Sequence, residues 1–400
     1  MPKSGNSSGK CGVNDFKAQV SRISSIFCGM PIPMRTSLVA RSALNIYLII
    51  LFVSIAESAE PQPQYAADGI SIPAATADEP VREQFSLEAA VDYLENGAFA
   101  WARTRKCVAC HTTGTYLQMR PALTPLLGDP PEEMRDFFVQ ELKESHEAGI
   151  EKLKTDIHPT QVAYIALGLS EWDAHVTGLL SDDTRRALSL MLNLQSEDGS
   201  WGNSNCWPPF ESSSYHGATI AALALATAPG YLDAINEEQT AVVAKLKKYL
   251  QTHEPPHDYA RTLLLWTASR MADVMTDEEM QQTIDMLWRH QRDDGGWSIR
   301  TFSTPENWGQ GNRAGKLRAE PEFKDPPSDG HQTGLVVLVM REAGVPADDE
   351  RIQRAVKWLK SNQRQSGRWW TRSLNTDTFH FITYSGTFYP LLALRKCDAL

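Results

Sequence analysis

The sequence predicts an all-α fold, a closed ring of about six helical hairpins, and three observations predict it. First, a short string recurs. Gln195-Ser-Glu-Asp-Gly199-Ser-Trp201 returns as Gln291-Arg-Asp-Asp-Gly295-Gly-Trp297 and again as Gln363-Arg-Gln-Ser-Gly367-Arg-Trp369. Second, each copy has an amphipathic helical pattern before it and a much more apolar one after it. Third, no alternating strand pattern of any length follows Phe85. Hairpins that recur in this way bury their apolar sides against one another, so they stack or close. An open row leaves apolar faces at both ends. Six hairpins can close into a ring, amphipathic helices outside and apolar ones inside.

In order along the chain, residues 1–59 read as an N-terminal extension and a signal peptide. Arg35 and Arg41 flank the start of an apolar run from Leu44 to Ile55, and Ala56-Glu57-Ser58-Ala59 puts small residues where a signal peptidase reads. Export to the periplasm or another extracytoplasmic space, with cleavage near Ala59, is the expectation. An uncleaved anchor is the alternative, on a run that is short for a membrane span. Residues before Met34 match neither a signal nor a fold, and a start at Met34 would remove Cys11 and Cys28. Residues 60–84, rich in Pro and Ala at first, read as a flexible linker, and residues 85–400 as the ring.

The six predicted hairpins pair Leu87 to Ala100 with Thr112 to Leu123, and Glu132 to Lys152 with Pro159 to Leu169. Arg185 to Leu194 pairs with His216 to Ala226, and Ala241 to Gln251 with Tyr259 to Ala268 across Pro255-Pro256. Met280 to His290 pairs with His331 to Met340, and Ile352 to Asn362 with Tyr384 to Leu394. In the first hairpin Trp101 stands where the repeat Trp belongs. Within each string, Gly supplies a backbone conformation that other residues resist. Gln caps backbone groups of a neighbouring hairpin, and Trp fills the gap between hairpins. Phe302 to Pro327 is a long insertion rich in Gly, Pro and charge, either a lid over one mouth of the ring or a surface excursion.

The formal charge of -10 argues against nucleic acid as a partner. After cleavage only Cys107, Cys110, Cys206 and Cys397 remain, too few for a disulfide framework. Two of them stand in Cys107-Val108-Ala109-Cys110-His111, the CxxCH attachment sequence for c-type haem. The thiols add to the haem vinyl groups and His111 becomes the proximal iron ligand. Two other occupants fit the same string: zinc on Cys107, Cys110, His111 and one more His, and a Cys107–Cys110 disulfide.

Histidine also recurs where inner helices begin. His111-Thr-Thr-Gly and His331-Gln-Thr-Gly share one pattern, His158-Pro-Thr begins alike, and His216-Gly-Ala-Thr is one residue out of step. In a closed ring these ends converge on one mouth. His111, His158, His216 and His331 are therefore candidate metal ligands, with Met119 a further candidate for the second axial position. Taken singly, each could instead cap its helix or satisfy a neighbour. Trp207, Trp266, Trp308, Trp369 and Trp370 could line a pocket, with core packing the default.

The Gln-Gly-Trp strings and the helix order resemble the squalene–hopene cyclase and terpene cyclase superfamily, which shares its α/α toroid with protein prenyltransferase β subunits. The resemblance covers about Phe85 to the C-terminus. It implies an α/α toroid and an apolar, isoprenoid-like ligand. In that family an aspartic acid in a DxDDT string at an inner-helix start protonates an isoprenoid double bond, which requires an acid held protonated. The corresponding places here are Asp258-Tyr-Ala260-Arg261-Thr262 and Asp329-Gly-His331-Gln332-Thr333. Both keep the outer Asp and the Thr, and both lack the middle acid. The family's DDxxD string for magnesium-bound diphosphate and the prenyltransferase Asp-x-Cys element are missing too.

The leading expectation is an exported toroid with covalent haem c. It would act in electron transfer or in redox chemistry on an apolar ligand, with a redox partner or an apolar small molecule, and association with a membrane surface. Two alternatives stand beside it. One is a terpenoid cyclase of altered mechanism with Asp258 or Asp329 as the acid. The other is a non-catalytic toroid that binds lipid or protein.

Overall fold

The computed structural model describes residues 62–202, 208–210 and 213–400. The expected signal segment, its cleavage site, Cys206 and Trp207 lie outside the described residues. Pro63–Leu400 forms one compact unit. Among the described residues of that unit, six helical hairpins alternate an outer with an inner helix, as the repeats predict. The outer helices are α1 (Leu87–Arg105), α3 (Glu132–Ala148), α5 (Asp182–Leu192), α7 (Glu237–Thr252), α9 (Asp277–Arg289) and α11 (Glu350–Ser361). The inner ones are α2 (Thr113–Met119), α4 (His158–Trp172), α6 (Ser214–Thr227), α8 (Asp258–Ala268), α10 (Gly330–Glu342) and α12 (Ile382–Lys396). Among the described residues no helix is long and apolar enough to cross a membrane.

Sequence explains the two classes. Outer helices open on side chains that take orphan N–H groups: Ser86, Ser181, Asn236, Thr276 and Asp349. Asn236 and Thr276 complete capping boxes with Gln239 and Glu279. Each outer helix buries one stripe, as α11 does with Ile352, Ala355, Val356 and Leu359. Inner helices are buried nearly all round; every residue of α10 from Gly330 to Met340 is buried. Consecutive inner helices pack side by side from α2 to α12, and α12 returns to α2. The fold is an all-α toroid.

The repeated string is the stitch between hairpins. Trp201, Trp297 and Trp369 are fully buried, and each indole N–H donates to a carbonyl of the outer helix just ended, Met191, Leu287 and Leu359, at 2.7, 2.7 and 2.8 Å. Each Gln reaches forward to the next outer helix. Gln195 Nε2 donates to the Val242 carbonyl at 3.0 Å and Gln291 Nε2 to that of Arg351 at 2.9 Å. Gln363 Nε2 donates to the Ser86 carbonyl at 2.8 Å, so the last string stitches the last hairpin to the first and closes the ring. Gly367 is required there: its φ is +92°, and a Cβ would stand 2.0 Å from the Ala89 carbonyl oxygen. Where Pro255-Pro256 replaces the string, Gln251 Nε2 takes over and donates to the Asp273 carbonyl at 2.6 Å.

Two sequence expectations are corrected here. The segment read as a flexible linker is built into the ring over 63–82. β1 (Tyr65–Ala67) and β2 (Ile70–Ile72) form an antiparallel hairpin. Tyr65 is buried against Trp101, Phe381 and Tyr384, and Gln64 Nε2 donates to the His380 carbonyl at 3.0 Å and to Thr383 Oγ1 at 2.9 Å. Buried Arg368 holds Glu79 at 2.7 Å and the carbonyls of Pro73 and Ala74 at 2.8 Å. Single anchoring residues do this, with no periodicity to announce them. Trp101, read as the first repeat Trp, lies inside α1 and donates forward to the Cys107 carbonyl at 3.2 Å.

The seam supports a direct prediction. Gln363→Ala removes the bond to Ser86, its return partner from the Ser86 N–H at 2.7 Å, and the bond to Gly367. A loss of about 1–3 kcal/mol is expected, with hydrogen exchange accelerating first in α1 and α12. An unchanged melting curve and unchanged exchange there would remove the seam from the list of stabilising features.

The far end of the ring, where inner helices finish, is tied by charge. Arg270, just past α8, reaches Glu171 of α4 at 2.6 Å, Thr227 of α6 at 3.0 Å and Glu342 of α10 at 2.8 and 2.9 Å. Lys396 of α12 adds a contact to Glu342 at 3.3 Å. Glu171 and Glu342 are buried, 1 % and 8 % exposed. Hydrogen bonds and charge from Arg270, with Lys396, outweigh burial and hold the Glu342 carboxyl down at about 2.

Candidate functional site

The opposite mouth, where inner helices begin, gathers the residues singled out in the sequence. Cys107 to Cys110 form the turn that leads into α2. Thr113 pins it: the Ala109 N–H donates to Thr113 Oγ1 at 3.1 Å, and that hydroxyl lies 3.4 Å from the Cys107 carbonyl. The Gly114 N–H donates to the Ala109 carbonyl at 2.9 Å, and the Thr115 hydroxyl bonds the Cys110 carbonyl. Thr333 performs the same task on α10, taking the Trp297 N–H at 2.9 Å and facing the Trp297 carbonyl at 3.2 Å. Thr387 takes the Trp369 N–H at 3.3 Å. The CxxCH turn therefore occupies, in the first hairpin, the position that the Gln291–Trp297 turn holds before α10. The shared His-x-Thr-Gly pattern was the sequence signal for this equivalence.

His111 sits at that turn. Its Nδ1 lies 3.2 Å from the Thr112 hydroxyl. Its ring stacks on Phe381 at 5.1 Å and meets the edge of Trp101 at 4.7 Å. Burial, with Arg105 nearby, brings its pKa down to about 4, so the ring is neutral near pH 7. Cys107 is buried and Cys110 half-buried; the Cys110 Sγ lies 4.0 Å from the Phe210 carbonyl.

The other predicted histidines sit at the same mouth but are engaged with different partners. His158 Nδ1 lies 3.4 Å from Gln161 Oε1, and Gln161 in turn donates to the Val108 carbonyl at 3.2 Å. His216 is buried, with Nε2 3.0 Å from the Tyr164 hydroxyl. His331 is fully buried between Ser385 Oγ, 2.8 Å from Nδ1, and the Tyr259 hydroxyl, 3.1 Å from Nε2. Ser385 already donates to the Ile382 carbonyl at 3.0 Å, so His331 carries its proton on Nδ1 and accepts from Tyr259. Burial lowers His216 and His331 to about 3. Phe210 joins the two, its ring 6.4 Å from His216 and 5.5 Å from His331. Among the described residues, no three or more His, Cys, Asp or Glu side chains come together as a metal-holding group. Met119 is buried in the core.

The two candidate acids have different surroundings. Asp258 begins α8, half-exposed, and its Oδ2 lies 2.8 Å from His290 Nε2. That bond lowers its pKa, so it stands as an ionised carboxylate. Asp329 is buried as the N-cap of α10, and both oxygens are taken by backbone N–H groups: Gln332 at 2.9 Å and Ile299 at 2.7 Å. Burial lifts it to about 6. Neither presents a free acidic O–H to an apolar space. Asp329 reads as a helix cap and Asp258 as the partner of the His290 ring.

The insertion packs onto the ring. Phe302, Trp308 and Leu317 are buried, and the Trp308 ring lies 4.7 Å from His257 and 5.7 Å from Tyr259. Arg300 clasps Glu320 at 2.5 and 2.9 Å, and Lys316 and Arg372 join them around Asp377. His257 is a half-buried titratable residue at this mouth that sequence reasoning missed. It caps α8, with Nδ1 accepting the Ala260 N–H at 3.0 Å. The available signal was a His directly before the Asp that opens the helix.

Residues 257–397 match a family model, the squalene-hopene cyclase C-terminal domain. The match begins at the cap of α8 and runs through α12, so that part of the ring is similar to that domain. No curated protein matches the chain.

Proposed function

We propose that this toroid, similar over its last inner and outer helices to a squalene-hopene cyclase domain, is an exported protein carrying c-type haem on Cys107 and Cys110. His111 would be the iron ligand, and the protein would act in electron transfer or in redox chemistry on an apolar, isoprenoid-like ligand. One observation carries the reading: the CxxCH turn stands at the mouth where a repeat turn stands before α10, and Thr113 holds it with the same pair of contacts that Thr333 makes there. The donor types support the reading by their chemistry, while among the described residues their side chains do not converge as a metal-holding group. Two thiols flank the turn, and His111 is neutral, which a metal ligand requires. Thr112 engages Nδ1 and leaves Nε2 for the metal. Bound haem supplies one-electron chemistry. The chain's own residues orient the imidazole between Phe381 and Trp101 and surround the mouth with Phe210, Tyr389 and Trp308.

Cyclisation by proton transfer has less support, because Asp258 is ionised and both Asp329 oxygens are occupied. Zinc at the same turn is the alternative occupant, and a ring without any cofactor the third. Expression with export and haem-maturation machinery tests all three. A Soret band that survives denaturation is expected, together with iron at one atom per chain. Cys107→Ser with Cys110→Ser should abolish covalent attachment while the ring still folds by circular dichroism. Wild-type protein with zinc and no Soret band, or with neither, would overturn the haem reading.

A further inference from the structure

Between the first turns of α6 and α8 lies a small cavity that neither the stitches nor the Cys107–His111 turn uses. Its volume is about 10 Å³, and its walls include Pro209, Tyr215, His216, His257, Tyr259 and Leu263. That is room for about one water-sized group. Two of these side chains carry a buried polar atom without a partner: the Tyr215 hydroxyl and His257 Nε2. Tyr215 is only 5 % exposed. Buried polar groups are nearly always satisfied, so two unmet ones lining one cavity point to a missing group.

The chemistry of the missing group can be read from its hosts. His257 Nδ1 accepts the Ala260 N–H, so the neutral ring carries its proton on Nε2 and offers a donor. Trp308 packs on that ring and fixes its direction. Tyr215 can donate or accept. His216, in the same wall, spends Nε2 on Tyr164. No Lys or Arg lines the cavity, Arg261 acting on Tyr215 from outside it, and a cation would meet an N–H. Pro209 and Leu263 supply apolar wall.

We infer that this cavity seats the oxygen of a neutral hydroxyl group, held between the His257 Nε2–H and the Tyr215 hydroxyl. The oxygen is a water when the ring is empty, and the hydroxyl end of an apolar alcohol when such a molecule is bound. The site is independent of what occupies Cys107 and Cys110.

Crystals of the full chain are expected to hold one ordered oxygen within hydrogen-bond distance of both atoms. Tyr215→Phe keeps the packing and should lose it. His257→Asn keeps a helix cap, lacks Nε2 and should lose it too. Titration with farnesol, against a hydrocarbon of equal length, separates the two sources. Preference for the alcohol, weakened about five-fold in Tyr215→Phe, assigns an alcohol seat. An ordered water with no preference for the alcohol assigns a water seat. A dry cavity in the wild type, or an oxygen that persists in the variants, overturns the inference. If His257→Asn does not fold, Tyr215→Phe decides alone.

Discussion

Arg270→Met is expected to destabilise the ring by about 3–5 kcal/mol, the cost of leaving buried carboxylates without their counter-charge. Arg270 satisfies Glu171, Glu342 and Thr227 at once and so ties α4, α6 and α10 to α8. Glu171 is 1 % exposed and has little access to water once the guanidinium is gone. Arg270→Lys should recover only part of the loss, since an ammonium cannot make the paired contact to Glu342. Adding Glu171→Gln and Glu342→Gln to Arg270→Met should recover most of it, because the uncompensated charge disappears. Urea denaturation of the four proteins measures this. A midpoint for Arg270→Met within about 1 kcal/mol of the wild type would mean that the cluster is decoration.

Acid is expected to act through histidine before it acts through carboxylates. His216 and His331 are 6 % and 0 % exposed, with folded pKa values of about 3 against 6.5 unfolded. A depressed folded pKa means that the unfolded chain binds more protons below 6.5. Stability is thus whole above that value and falls as pH drops toward about 3. At pH 5 each imidazole has lost roughly 2 kcal/mol, about 4 together. Asp329 works the other way. Its folded pKa is raised to about 6, so protonating it as pH falls from 6 to 5 returns roughly 1 kcal/mol. These three groups together take away about 3 kcal/mol between pH 7 and pH 5, and His111, His257 and His380, also lowered to about 4, steepen the loss that denaturant titrations should show. His331→Gln should flatten the slope. Stability that stays level across this interval would show that the two imidazoles are hydrated and free to charge.

The architecture was legible because the stitch is chemical as well as periodic. A Gln that crosses to the next hairpin, a Gly at positive φ and a Trp that returns to its own helix must recur together. Six hairpins and their inner and outer order followed from that. The strap over 63–82 was not legible, since Gln64, Tyr65 and Glu79 meet partners about three hundred residues away through isolated contacts. Trp101 misled because a Trp close to the right place in the first hairpin serves a different bond. At the mouth, the clustering of histidines was readable from their register, but their partners were not. Tyr164, Tyr259 and Ser385 come from neighbouring helices and leave no trace in the local pattern. The acidity of Asp329 was hidden for the same reason: its two N–H donors belong to Gln332 and Ile299, on opposite sides of the insertion.

The last stitch joins positions 277 residues apart. On the ribosome, helix α1 is therefore among the first segments to emerge and among the last to find its final neighbour. Until the closing Gln363 is made, its partner surface does not exist, and the early hairpins must wait with one flank unprotected. A polypeptide truncated shortly before that residue retains five of the six hairpins intact in sequence and still lacks the piece that makes them a circle. Such a product is expected to self-associate, because the hairpins it keeps have no closing partner.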